Sequence, residues 1–281
     1  MTYSDERLEP SPYAIIRWFG FDKFIPEAAV TSHWVSSNVF LCIRSIVALY
    51  STIVIWTNIG SSARDGTIQS FFAFFTTLTF IGLHAYLVTA VYHHVRYILA
   101  KRQLVSFFNQ PAVLNYLYYY LYHTILVFNI ITPVVYWALL ADVQGQGSNA
   151  LGVWLNVSVH GVSFFMMMSE MIFCRIKMQM NIVLLIVIHV ILYMFLSFIV
   201  HASAGFWVYP FLDWDQGPVA AGLYIGVGAC FVVVFFLQML FHLIRDWIAK
   251  ITGRGTVAVK HEQQRELEQP EMAERRDIEE A

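Results

Sequence analysis

Six ionisable side chains, Arg44, His84, His160, Glu170, His189 and His201, stand inside long apolar runs of the chain. At bilayer depth each costs a few kcal/mol unless it is paired or hydrated, so each is first a candidate for chemistry. Arg44 and Glu170 carry opposite charges and can neutralise one another, a structural reading that outweighs a catalytic role for either. His84 and His189 fall towards the middles of their runs, where a hydrogen bond to a neighbouring helix accounts for them. His160 is different because of Thr79. Ser70 and Leu151 begin two runs at the same membrane surface, and Thr79 and His160 each lie nine residues, roughly 14 Å, inward from them. A threonine hydroxyl is a weak nucleophile at neutral pH, and a neutral imidazole within reach is the usual means of taking its proton during acyl attack. Asn156 precedes His160 by four positions on the same helical face, where it can orient the ring or donate to an oxyanion. Ser197 and His201 repeat that spacing near the same surface. Thr76 and Thr77 also stand close by, so spacing alone does not single out Thr79. Nor does it supply a third residue to orient His160, since Asp213 and Asp215 sit in a connecting loop and Glu170 lies nearly three turns further in.

These side chains can meet only if the runs that carry them are helices crossing a bilayer. A crossing takes about 20 apolar residues, and six stretches reach that length, at 36–58, 70–92, 116–140, 151–174, 181–203 and 218–243. Basic residues set the expected orientation, because Lys and Arg of short loops are retained on the cytoplasmic side. Arg7, Arg17 and Lys23 precede the first span, Arg96, Lys101 and Arg102 follow the second, and Arg175 and Lys177 follow the fourth. Seven more run from Arg245 to Arg276, whereas the opposite side has only Arg64. The expected fold is thus all-α and polytopic, with six transmembrane helices and both termini cytoplasmic. Asp5, Glu6 and Glu9 occupy the place where a signal peptide would be basic and then apolar, so no cleaved signal is expected. Three segments follow: a cytosolic or interfacial stretch at 1–35, the helical domain at 36–245, and a charged, disordered cytosolic tail at 246–281.

Composition excludes other classes. The chain has 281 residues, of which 58% are hydrophobic and 13% charged, and its mean hydropathy is +0.59, which does not describe a soluble globular domain. A formal charge of −2 offers no basic field for a nucleic-acid partner. Cys42, Cys174 and Cys230 show no paired ligand spacing, so neither a zinc site nor a disulfide frame is expected. Other features have ordinary readings. Tyr13 to Ala29 mixes aromatic and basic residues and suits either an element lying in the interface or a cap on the bundle. Tyr116, Tyr118, Tyr119, Tyr120 and Tyr122 read as an aromatic belt at headgroup depth. Gly222 and Gly226 read as a small-residue face that another helix approaches closely. Phe164 and Phe165, followed by Met166, Met167 and Met168, serve as core packing first and as the lining of an acyl tunnel second. No inverted repeat of broken helices suggests a transporter.

Two runs add a resemblance. Residues 201–213, HASAGFWVYPFLD, and residues 154–160, WLNVSVH, resemble the androgen-induced, androgen-dependent family of integral membrane proteins, which includes the androgen-dependent tissue-factor-pathway-inhibitor-regulating protein. That resemblance implies a six-span threonine hydrolase of fatty acid esters of hydroxy fatty acids. The family's nucleophile falls on Thr79 within Leu78, Thr79, Phe80 and Ile81, and its histidine falls on His160. The likeness covers roughly residues 36 to 245 and is specific in the short runs. Val157 stands where vertebrate members have a second histidine, which marks a distant relative. The rolling-stone family has a similar span pattern and a related run ending in histidine, and it supplies the rival reading.

The expected function is intramembrane hydrolysis of a lipid ester, with Thr79 as nucleophile and His160 as base. Asn156, Ser197, His201, Trp207 and Tyr209 are the supporting or substrate-binding residues. No metal or organic cofactor is implied. The expected partners are the lipid ester and membrane lipids, in the endoplasmic reticulum or the plasma membrane, with the oligomeric state open. The alternatives are a non-enzymatic surface or fusion protein of the rolling-stone type, against which the short outer loops count, and a small transporter.

Overall fold

The computed structural model describes residues 8–141 and 149–254. Two short helices, α1 (Ala14–Phe19) and α2 (Pro26–Val30), precede the first long one, α3 (Ser37–Arg64). Then come α4 (Phe75–Leu99), the single turn α5 (Val105–Phe108), α6 (Ala112–Leu140), α7 (Ala150–Phe173), α8 (Met180–Ala204) and α9 (Pro218–Ile251). All but α1, α2 and α5 are long and apolar enough to cross a membrane, so the six expected spans are present. No strand occurs among the described residues. An even number of crossings puts Leu8 and Arg254, the first and last described residues, at one end of the bundle, here called the tail end. Most of the outer loop at 141–150 and the tail beyond 254 lie outside the described residues.

Helix boundaries follow local chemistry. The Ser36 side chain accepts from the Val39 N–H and caps α3, while Pro111 fixes the start of α6 and Pro218 opens α9. Gly205 ends α8 in the left-handed conformation, φ 76°, and its N–H donates to the His201 carbonyl. The start of α4 has no cap of its own. Two remote phenols serve instead: Tyr193 Oη accepts from Phe75 N–H at 3.0 Å and donates to the Ala73 carbonyl at 3.0 Å, and Tyr209 Oη accepts from Thr76 N–H at 3.4 Å.

The bundle is centred on α6, which packs against α4, α7 and α9 and is the most enclosed span. Its polar anchor lies towards the tail end. Arg44 Nε and Nη2 donate to the two Glu170 carboxylate oxygens at 2.7 and 2.6 Å, and Nη1 donates to the Ala29 carbonyl at 2.9 Å. Tyr86 Oη donates to the same carboxylate at 3.0 Å. His94 accepts from Arg44 through Nδ1 and donates through Nε2 to Ser37 Oγ, which passes its own proton to the Val30 carbonyl. Both charges are therefore buried with their donors and acceptors engaged, as a structural pair requires. Arg245 closes the adjoining end of α7, donating to the Met171, Cys174 and Ile176 carbonyls.

Two sequence expectations change here, and a third divides between its two readings. The tyrosine run is not a headgroup belt, because Tyr118, Tyr119 and Tyr122 are buried on the inner face of α6 with their hydroxyls bonded to Tyr86, to the Lys177 carbonyl and to His242. A buried phenol with a partner and an interfacial phenol share one composition, so sequence alone does not separate them. Nor do Gly222 and Gly226 receive a helix, since a Cβ at either would meet nothing within 4 Å. For the amino-terminal stretch, Phe19, Phe21, Phe24 and residues 28–30 are buried as a cap, while Tyr13, Ile15 and Trp18 point outward. Both readings hold, each for a different part.

Candidate active site

Thr79 lies one turn into α4, because residues 71–73 form a separate 3-10 turn and Phe74 is extended. Its hydroxyl donates to the Thr76 carbonyl at 3.0 Å and meets Thr132 Oγ1 at 3.3 Å, so the Thr132 hydroxyl is the donor in that pair. Thr79 is 6% exposed and Thr132 3%. Four positions along α6 from Thr132 stands Tyr136, whose ring stacks on the His160 imidazole with centroids 3.9 Å apart and planes 18° from parallel. Thr132 and Tyr136 thus touch the two candidate catalytic side chains from adjacent turns of one helix. Thr79 and His160 are not direct hydrogen-bond partners among the described residues.

The backbone of both helices is irregular beside these residues. Pro133 interrupts α6, and residues Tyr136–Leu140 form a wide π turn; on α7, residues Ser158–Val162 form a second π turn that carries His160. Each π turn holds one residue more than an α turn, so counting inward at constant rise misplaces everything beyond it. Such insertions are frequent at functional sites. Here they bring a tyrosine of one helix face to face with a histidine of the other.

His160 has a defined tautomer. Its Nδ1 lies 3.0 Å from the Asn156 carbonyl, which can only accept, so Nδ1 carries the proton and Nε2 keeps its lone pair. Asn156 thus holds the ring through its main-chain carbonyl. Its side chain is directed elsewhere: Nδ2 donates to Tyr136 Oη and fixes the ring against which His160 stacks. Tyr50 Oη meets Ser158 Oγ at 2.8 Å, and Ser158 Oγ donates to the Trp154 carbonyl at 2.7 Å, steadying the same stretch.

A cavity of about 520 Å³ opens beside these groups, between α6, α8 and α9. Thr76, Thr132, Tyr136, Tyr193 and Tyr209 supply the polar edges of an otherwise apolar wall that includes Phe75, Ile191 and Gly228. Burial pushes the Tyr209 phenol up, so it stays protonated in the wall. A second hollow of about 90 Å³ reaches Thr79 itself and is bounded by Phe75, Phe128, His189 and Tyr193. Phe75 and Tyr193 line both.

Among the other expected supporting residues, Tyr209 reaches the cavity wall, but Ser197, His201 and Trp207 do not. Ser197 Oγ donates within its own helix to the Met194 carbonyl at 2.7 Å. His201 and Trp207 stack on one another at 4.0 Å and fasten the loop after α8 to the end of that helix. The Phe and Met run of α7 is core, since Met166 and Met167 are buried, Phe165 is 69% exposed on the outer surface, and none of the five residues lines the cavity. His84 and His189 face Ser51 Oγ and Tyr120 Oη across helices. Sequence reasoning missed Thr132, Tyr136 and Tyr193, for which the one available signal was the helix-breaking Pro133. No cluster of three or more potential metal ligands occurs among the described residues.

A search of curated proteins and a search of solved structures each return no match. The model of the FAR-17a/AIG1-like protein family matches residues 39–242, a stretch that runs from the first span into the sixth and includes Thr79, Thr132, Tyr136 and His160, and the chain accordingly belongs to that family.

Proposed function

We propose that this multi-pass membrane protein hydrolyses a lipid ester within the bilayer, with Thr79 as nucleophile and His160 as general base. The observation that carries the reading is the pair of contacts from adjacent turns of α6, Thr132 to Thr79 and Tyr136 to His160, along one wall of an apolar cavity. In the resting state the Thr79 proton points to the Thr76 carbonyl, so attack begins with the hydroxyl turning away from it. As Oγ1 adds to the ester carbonyl its proton passes to the free Nε2 of His160, which later protonates the leaving alkoxide. Water, activated by the same nitrogen, adds to the acyl-threonine and releases the acid, restoring the Thr79 hydroxyl. Thr132, whose hydroxyl meets Thr79 Oγ1, is the neutral donor placed to face a developing oxyanion. The cavity's size and apolar walls suit an aliphatic arm, and the substrate class is a fatty acyl ester such as a fatty acid ester of a hydroxy fatty acid.

The test uses the purified full-length protein in detergent. A fluorophosphonate probe should label the wild type and Thr79→Ser but not Thr79→Ala, and His160→Gln should lose labelling while keeping its unfolding temperature. Ester hydrolysis by Thr79→Ala at the wild-type rate would return the protein to the non-enzymatic reading.

A further inference from the structure

The tail end of the bundle holds a second kind of hollow. A cavity of about 170 Å³ lies between α2 and the connection from α7 to α8, and its rim carries Lys23, Arg175 and Lys177 with Gln179 and Tyr119. The backbone beneath those cations is fixed at several points. Arg175 N–H donates to the Ala28 carbonyl at 2.8 Å, Arg175 Nη1 donates to Thr31 Oγ1 at 3.0 Å, Tyr119 Oη donates to the Lys177 carbonyl at 2.6 Å, and Gln179 N–H donates to His123 Nε2 at 3.0 Å. Lys23 and Lys177 are exposed at this rim, and among the described residues no Asp or Glu lines the hollow. Positive-inside bias places basic residues on this side, but does not require three of them around one concavity.

An apolar groove of about 340 Å³ adjoins it. The groove runs down the outer surface between α6 and α8, lined by Leu117, Tyr120, Leu185 and Leu192. One short turn separates the two: Phe21 lines the groove, and Lys23, two residues on, lines the cavity. Gly20 closes the junction, with Gln179 so near that a Cβ there would lie 2.8 Å from Oε1. Trp18 and Ile15 are exposed on the adjacent helix, as residues at headgroup depth are. From this juxtaposition we infer that the turn at Phe21–Lys23 seats one anionic phospholipid, its phosphate among Lys23, Arg175 and Lys177 and one acyl chain in the α6–α8 groove. The groove shares His189 with the hollow at Thr79, but the cationic rim lies at the tail end, and the assignment does not depend on the hydrolase reading.

The experiment is native mass spectrometry of the full-length protein released from nanodiscs of equal phosphatidylserine and phosphatidylcholine, with unfolding temperature as a second readout. The wild type should retain phosphatidylserine at least about tenfold over phosphatidylcholine and be stabilised by it. Lys23→Gln with Lys177→Gln should lose the preference, Lys23→Arg with Lys177→Arg should keep it, and Leu117→Trp should weaken retention of either lipid. Equal retention of the two lipids by the wild type, or an undiminished preference in the glutamine variant, would overturn the assignment. So would equal stabilisation by inorganic phosphate alone, which would reduce the site to a simple anion pocket.

Discussion

Gly228 offers the sharpest way to ask whether the large cavity receives an acyl chain. It lies in the cavity wall on α9, and a Cβ added to it would meet nothing within 4 Å. Gly228→Leu should therefore insert without displacing backbone, and helix propensity favours the change by about 1 kcal/mol. The four added carbons take space that a long acyl chain would fill. At about 0.8 kcal/mol per buried methylene, excluding four of them removes roughly 3 kcal/mol of binding, or about 100-fold. That loss should appear in kcat/KM for a palmitoyl nitrophenyl ester, while the acetyl ester, which needs only the region beside Thr79, should change less than about twofold. Gly222→Leu is the matched control, since its Cβ also meets open space but the residue is not part of the cavity wall. An equal fall with both esters would mean that the leucine damages the site, and no fall with either would mean that the chain lies elsewhere.

Other predictions concern the scaffold and its protonation. Glu170→Gln leaves Arg44 buried without a counter-charge and should cost about 3–5 kcal/mol in unfolding free energy, whereas Arg44→Met combined with Glu170→Met should recover most of it, as read from the denaturation midpoint. Tyr193→Phe removes the phenol that caps α4 and should lower stability by about 1–3 kcal/mol, together with a fall in hydrolysis because Thr79 is one turn away; unchanged stability would show that water replaces the cap. Burial pushes the Cys174 thiol up, so it stays protonated as pH rises through the ordinary cysteine range near about 8.5, and maleimide should spare it until the protein unfolds. Ready labelling of Cys174 in the native protein would show that the tail end opens in solution.

The spans were legible because twenty consecutive apolar residues leave few alternatives, and Arg44 with Glu170 because opposite charges in such runs must find each other. Asn156 was placed correctly beside His160, yet its side chain proved to serve Tyr136. Tyr136 and Thr132 themselves escaped notice. Nothing about a tyrosine or a threonine in an apolar helix declares which neighbour it faces, and the two π turns shift the facing side by an amount no constant period captures. The count inward from Ser70 assumed an unbroken helix, whereas residues 71–73 form a separate 3-10 turn and Phe74 is extended before α4 begins. The cavity was illegible too. It exists where side chains are missing or turned aside, at Gly228 among others, and hydropathy does not record an absence.

The wide turn at Ser158–Val162 joins two halves of α7 that are fastened to different partners. One half is clamped by the Glu170 ion pair and by Arg245; the other meets Tyr136 and Tyr50. An extra residue between them acts as a phase shifter, offsetting the halves by about 100° and 1.5 Å from where a regular helix would hold them. Removing one codon within the turn would restore an unbroken helix and leave the clamped half in place. The other half would swing by more than a quarter turn and carry Asn156 off its tyrosine. Loss of the proposed chemistry with retention of fold is thus a single deletion away, and a relative of this chain could keep both Thr79 and His160 and differ only in the length of its fourth span.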